Sequence, residues 1–229
     1  MKLRSGSNAR FARVAPDDAD GRTEAIEVLR AGGLVAMPTD TVYGVGVALA
    51  AKDGLKRLFA AKDRPPDRAI VLLVADLAQA GSVGVLSPAA LALAARFWPG
   101  GLTLVLAQTS KPTEGSRLPS ELTAGRSTIG VRMPDHDSPR ALARALGPLP
   151  VTSANISGQS DARDAGAVLA QLGMRIDLIL DGGPARGGVP STVVDCSQDV
   201  PRILRAGAIE PARISAALVG AGLPRPAAS

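Results

Sequence analysis

The chain of 229 residues has one cysteine and one histidine. A lone Cys196 excludes an internal disulfide framework and a multi-cysteine zinc site; a lone His136 excludes any two-histidine metal motif. Aromatic residues make up 2% of the chain, so stacking platforms for single-stranded nucleic acid are scarce. Gly, Pro or a charge interrupts every apolar run before the roughly 18 residues that a membrane span needs. No apolar stretch follows the basic residues 1–7, so no secretory signal is expected and the expected location is the cytoplasm, away from membranes. The sequence contains no Walker A loop, no Gly-x-Gly-x-x-Gly and no Gly-x-Ser-x-Gly elbow. A Ser-His-Asp triad would have to use His136, which lies in the polar turn Pro134-Asp135-His136-Asp137 and reads as exposed. Cys196 follows an apolar strand and reads as a small core residue. Acyl-enzyme hydrolysis is therefore disfavoured.

What is present is globular composition, 46% hydrophobic and 21% charged. A net charge of +5 on this length is no polybasic tract, so a few placed arginines on phosphate fit better than a broad nucleic-acid surface. Apolar spacing predicts helices over 17–31, 51–61, 88–97, 138–146, 164–172 and 211–219. Buried strands are predicted over 34–37, 70–74, 102–106, 128–133, 150–152, 176–180, 193–195 and 203–205. The alternation predicts a single-domain α/β fold, a mixed sheet flanked by helices, over 17–220. Residues 1–16 read as a flexible lead-in, 221–229 as a frayed tail, and the polar stretch 108–127 as a long loop.

Four blocks could carry chemistry. Pro38-Thr39-Asp40-Thr41-Val42-Tyr43-Gly44-Val45-Gly46 leaves a buried strand, where α/β sheets place ligands, or it forms a Ser/Thr turn with Tyr43 in the core. Lys62-Asp63-Arg64-Pro65-Pro66-Asp67-Arg68 sets three cations in a proline-stiffened turn, suited to clamping a polyphosphate or carboxylate. Thr152-Ser153-Ala154-Asn155-Ile156-Ser157-Gly158 offers hydroxyl and amide groups beside a glycine; it suits phosphate or a purine edge, or a capped turn. Asp181-Gly182-Gly183-Pro184 precedes Pro190-Ser191-Thr192 on one strand and Arg205-Ala206-Gly207 on the next.

Taken in order, these blocks resemble the YrdC-like family of threonylcarbamoyl-AMP synthases, together with Phe97-Trp98-Pro99-Gly100 and residues 128–134. The matching stretches run from about 21 to 210, and the chain resembles the short, single-domain form. The resemblance implies a twisted mixed sheet with helices around a basic central cavity. It implies a nucleotidyltransferase making L-threonylcarbamoyladenylate and pyrophosphate from L-threonine, bicarbonate and ATP. A downstream transferase complex would then modify tRNA. By motif, Thr41, Arg132 and Ser191 would hold threonine. Lys62, Arg64, Arg68, Thr128, Ser153, Asn155 and Arg205 would line the ATP site, with Lys62 and Arg64 in the catalytic role. Mg²⁺ would arrive with the nucleotide, and no protein-bound metal is implied.

Three positions depart from the family pattern. Leu73 stands where some members carry a histidine, Ala69-Ile70 where Pro-Leu is common, and Arg163 where a hydroxyl is frequent. Two other readings remain open at this level. One is an RNA-binding paralogue that grips transfer or double-stranded RNA without synthase activity. The other is a carbamoyl-phosphate-using relative, against which the single cysteine argues.

Overall fold

A computed structural model describes residues 11–65, 67–109 and 118–227. Its strands are β1 (Arg13–Pro16), β2 (Val35–Met37), β3 (Gly44–Gly46), β4 (Val71–Leu73), β5 (Leu102–Ala107), β6 (Thr128–Arg132), β7 (Leu149–Ser153), β8 (Leu178–Asp181), β9 (Thr192–Asp195) and β10 (Arg202–Arg205). Its helices are α1 (Ala19–Arg30), α2 (Gly54–Ala61), α3 (Leu77–Val83), α4 (Pro88–Phe97), α5 (Ser120–Thr123), α6 (Asp137–Leu146), α7 (Ala165–Leu172) and α8 (Pro211–Gly220). The strands form one sheet in the order β1-β8-β2-β3-β7-β4-β6-β5-β9-β10. The β1–β8, β8–β2, β4–β6 and β5–β9 pairs are parallel; the others are antiparallel.

Side chains that could satisfy a free amide start several helices. Asp18, Asp76 and Asp164 accept from the amides of Gly21, Gln79 and Ala167 at 2.9, 2.8 and 2.7 Å. One sheet face then packs Ala36, Val45, Leu72, Leu104 and Val131 with residues of α2, α3, α4, α7 and α8. The opposite face packs Val35, Met37, Leu149, Val151 and Leu178 against Ala25 and Leu29 of α1 and Leu142 of α6.

Several expectations are corrected. The lead-in ends earlier, because residues 13–16 pair in parallel with β8; only Ala15 of β1 is buried, so no apolar pattern marks it. Residues 1–10 lie outside the described residues. The tail is not frayed over 221–227: Leu223 packs on the core and the Ala227 amide donates to Pro201 O at 2.8 Å. The helix expected from 51 begins at Gly54, because Asp53 is left-handed (φ 56°). Within the expected 108–127 loop, α5 buries Leu122 and Thr123, and the Ile70 amide donates to Leu122 O at 2.9 Å. Residues 110–117 of that loop lie outside the described residues. His136 is half-buried rather than exposed: its Nδ1 accepts from the Ser138 amide at 3.3 Å and caps α6. Cys196 is in the core, where burial pushes its thiol up to about 12.

Candidate active site

Helices α1 and α6 cover their face of the sheet only as far as β4. Beyond it the same face carries side chains of β6, β5, β9 and β10 that end in a cavity of about 630 Å³. Strand alternation sorts the residues. On β6, Thr128, Gly130 and Arg132 line the cavity while Ile129 and Val131 are core. On β5, Thr103 and Val105 line it while Leu102, Leu104 and Leu106 are core. Six arginines line it, Arg64, Arg68, Arg126, Arg132, Arg202 and Arg205, against two aspartates, Asp161 and Asp195.

Arg132 ends β6, opposite Leu73 of β4. Its guanidinium is buried and held at three points: Nε donates to Gly100 O at 3.0 Å, and the terminal nitrogens to Thr41 Oγ1 at 2.7 Å and Asp40 Oδ1 at 2.6 Å. Burial pushes its pKa down, against the opposing pull of Asp40. A guanidinium has five N–H donors, so two face no partner among the described residues. The turn that presents Thr41 is internally bonded: Thr39 Oγ1 donates to Val42 O at 2.6 Å and accepts from the Thr41 amide at 3.1 Å. Tyr43 is in the core, its hydroxyl donating to Gly183 O at 2.8 Å. The block is a threonine-stabilised turn with Tyr43 in the core, and Thr39, Thr41 and Gly44 also border the cavity. The Trp98-Pro99-Gly100 stretch serves Arg132, because it brings the Gly100 carbonyl to the guanidinium.

The basic turn divides its labour. Arg64 and Arg68 line the cavity. Arg64 donates to Arg68 O at 3.2 Å and Ala69 O at 2.7 Å, and burial with the nearby Arg68 charge lowers its pKa. Lys62 does not line the cavity. Its buried ammonium donates to the Ser153 and Asn155 carbonyls and reaches Asn155 Oδ1 at 3.4 Å. Burial and the Arg64 charge push it down to about 8. Asn155 is likewise committed within the turn, its Nδ2 donating to Ile156 O at 3.0 Å and Gln159 O at 2.8 Å. Ser153 and Thr128 are the members of this expected group that reach the cavity as hydroxyls.

Ser191 and Arg205 form a third cluster. Ser191 Oγ lies 2.8 Å from Thr103 Oγ1, and Arg205 donates to Ser191 O at 2.8 Å and to its Oγ at 3.3 Å. Gly207 permits this approach, since a Cβ there would meet Pro190 O at 2.3 Å and Ser191 C at 2.6 Å. Arg205, expected among ATP contacts, is therefore bonded to the residue expected to hold threonine. Arg163 donates to Gly188 O at 3.1 Å, and the Gly188 amide donates to Thr41 O at 2.7 Å, so Arg163 braces the loop over Thr41. Leu73 lines the cavity beside Arg132. Residue-by-residue reading missed Asp40, Thr103, Arg126, Asp161 and Arg202. Asp40 lay inside a quoted block and Thr103 inside a predicted strand, but only the sheet order brings them to Arg132 and Ser191.

Residues 27–207 match the Sua5/YciO/YrdC family model, which carries the description "Telomere recombination". The chain is 40% identical over 197 residues to the threonylcarbamoyl-AMP synthase of Bacillus subtilis, covering 85% of this chain and 56% of that one. It is 37% identical to the putative threonylcarbamoyl-AMP synthase of Mycobacterium leprae over 92% of this chain and 94% of the relative. The structure of Pyrococcus abyssi Sua5 complexed with L-threonine superposes with a TM-score of 0.84 at 32% identity, over 96% of this chain and 62% of that one. This chain thus spans somewhat over half the length of the Bacillus and Pyrococcus proteins. On these matches and on the sheet they share, the chain belongs to the Sua5/YciO/YrdC family.

Proposed function

We propose that this chain is a threonylcarbamoyl-AMP synthase, acting on L-threonine, bicarbonate and ATP. The observation that carries the reading is the buried Arg132, fixed on three sides with two N–H groups left for a ligand, at one end of an arginine-lined cavity. Two N–H groups on one planar guanidinium suit a carboxylate. Thr128 stands at the other end of β6, about 13 Å away at strand spacing, which leaves room for an amino acid and a nucleotide end to end.

In this reading Arg132, Thr41 and Ser191 hold threonine. Arg64, Arg68, Thr128 and Ser153 face the phosphates and nucleoside of ATP, and Arg205 stands between the two groups. Lys62 and Asn155 are positioning residues that fix the Ser153 turn. The threonine ammonium first releases a proton to solvent; the free amine then adds to the carbon of CO₂ drawn from bicarbonate, its N–H proton leaves with the bicarbonate hydroxide as water, and a carbamate forms. A carbamate oxygen then attacks the α-phosphorus and pyrophosphate leaves with the broken α–β bond. Neither step needs a protein nucleophile, so arginines that neutralise charge and hold the reactants in line suffice. Mg²⁺ would arrive bound to the ATP substrate, held by phosphate oxygens and water. It supplies charge neutralisation; among the described residues no group of three metal-ligating side chains is present. The adenylate would pass to a transferase complex acting on tRNA, in the cytoplasm. No helix among the described residues is long and apolar enough to cross a membrane.

The test is adenylate and pyrophosphate formation from ATP, with threonine and bicarbonate each omitted in turn. Product that requires both supports the reading. Turnover indifferent to threonine overturns the choice of amino acid.

A further inference from the structure

An amino acid brings a cation into the cavity along with its carboxylate, and a wall of arginines repels that cation. Two carboxylates line the cavity among the described residues. Asp195 is engaged, its Oδ1 accepting from the Ser197 amide at 2.9 Å and the Ser197 hydroxyl at 2.6 Å. Asp161 makes no hydrogen bond and no ion pair among the described residues, although its charge reaches Lys62 and Arg205. Its position ties it to the amino-acid end. The Tyr43 amide donates to the carbonyl of the next residue, Ala162, at 2.9 Å, two residues beyond Thr41, and Arg205 is bonded to Ser191.

We propose that Asp161 receives the α-ammonium of the amino-acid substrate and so selects amino acids over the corresponding 2-hydroxy acids. A carboxylate offers an ammonium several acceptor sites and an opposite charge. This inference rests on the proposed function and adds a specificity residue to the same cavity.

Titration calorimetry of the chain with L-threonine and with 2,3-dihydroxybutyrate, its hydroxy analogue, tests it. The wild type should prefer threonine. Asp161→Asn should weaken threonine binding by about tenfold or more and leave the analogue within about twofold, as expected for a lost charge pair. Asp161→Glu should recover part of the loss, and the KM for ATP should stay within about twofold in both variants. Since Asp161 holds no other residue in place, the unfolding midpoints should match the wild type. Unchanged threonine binding in Asp161→Asn overturns the inference and leaves the proposed function standing. A raised KM for ATP alone also overturns it, by placing Asp161 at the nucleotide. A wild type that binds no threonine and forms no adenylate overturns both.

Discussion

Lys62 keeps its ammonium where water hardly reaches it, and this has a measurable sign. Its folded value near 8 lies below the ordinary 10.5, mainly through burial. Above about pH 8 the folded lysine sheds its proton while the unfolded chain still holds one, so unfolding takes up a proton and stability rises with pH toward 10.5. The full effect is on the order of 3 kcal/mol. Urea unfolding at about pH 7 and about pH 9.5 should show this rise in the wild type and a flatter profile in Lys62→Met. The neutral amine still has two N–H donors for the Ser153 and Asn155 carbonyls, so the turn should survive the titration. Arg132 makes a different kind of prediction. Arg132→Ala should raise the KM for threonine by about tenfold or more while the KM for ATP changes by less than about threefold, as fits loss of a charge-assisted carboxylate contact. Steady-state kinetics with each substrate varied would read the split. Equal effects on both substrates would remove Arg132 from the amino-acid end.

At the scale of elements, the β9–β10 pair depends on one glycine. Gly207→Ala would press a methyl group into the Pro190–Ser191 backbone. We expect a loss of roughly 1–3 kcal/mol in urea unfolding. Adenylate formation should fall as well, because Arg205 and Ser191 can no longer meet. What was legible in the sequence divides along the same lines. The strands β4 and β5 announce themselves as runs of Leu and Val, β6 by the alternating Ile129 and Val131, and polar residues within or at the ends of such segments, such as Arg132 and Ser191, mark a site. The glycine strand β3 hid itself, since Gly44 and Gly46 are small to fit against Val151 of β7. The small residues and internal glycine of α3 gave no apolar face to read. Arg126 and Arg202 look like any solvated arginine, and Asp161 like any loop aspartate. Their company is set by strand order, which brings β6 next to β5 and β5 next to β9, and no local spacing encodes that order.

For the whole molecule, six arginines against two aspartates gather in the cavity on one surface of the sheet. If the proposed function holds, ATP binding should weaken as ionic strength rises from about 0.05 to about 0.5 M, more steeply than threonine binding, since the triphosphate would meet several arginines and the amino acid one. Equilibrium titrations across that range would show it; parallel slopes for the two ligands would mean that the arginines are not shared in this way. The uneven helix cover has a further consequence for altering the protein. Leu102, Leu104 and Val131 hold the layers together, whereas Thr103, Val105 and Val193 carry no helix above them. A combinatorial library confined to Val105 and Val193, and sparing the buried Thr103–Ser191 hydroxyl pair, would sample new amino-acid acceptors while leaving the thermal tolerance of the scaffold nearly untouched.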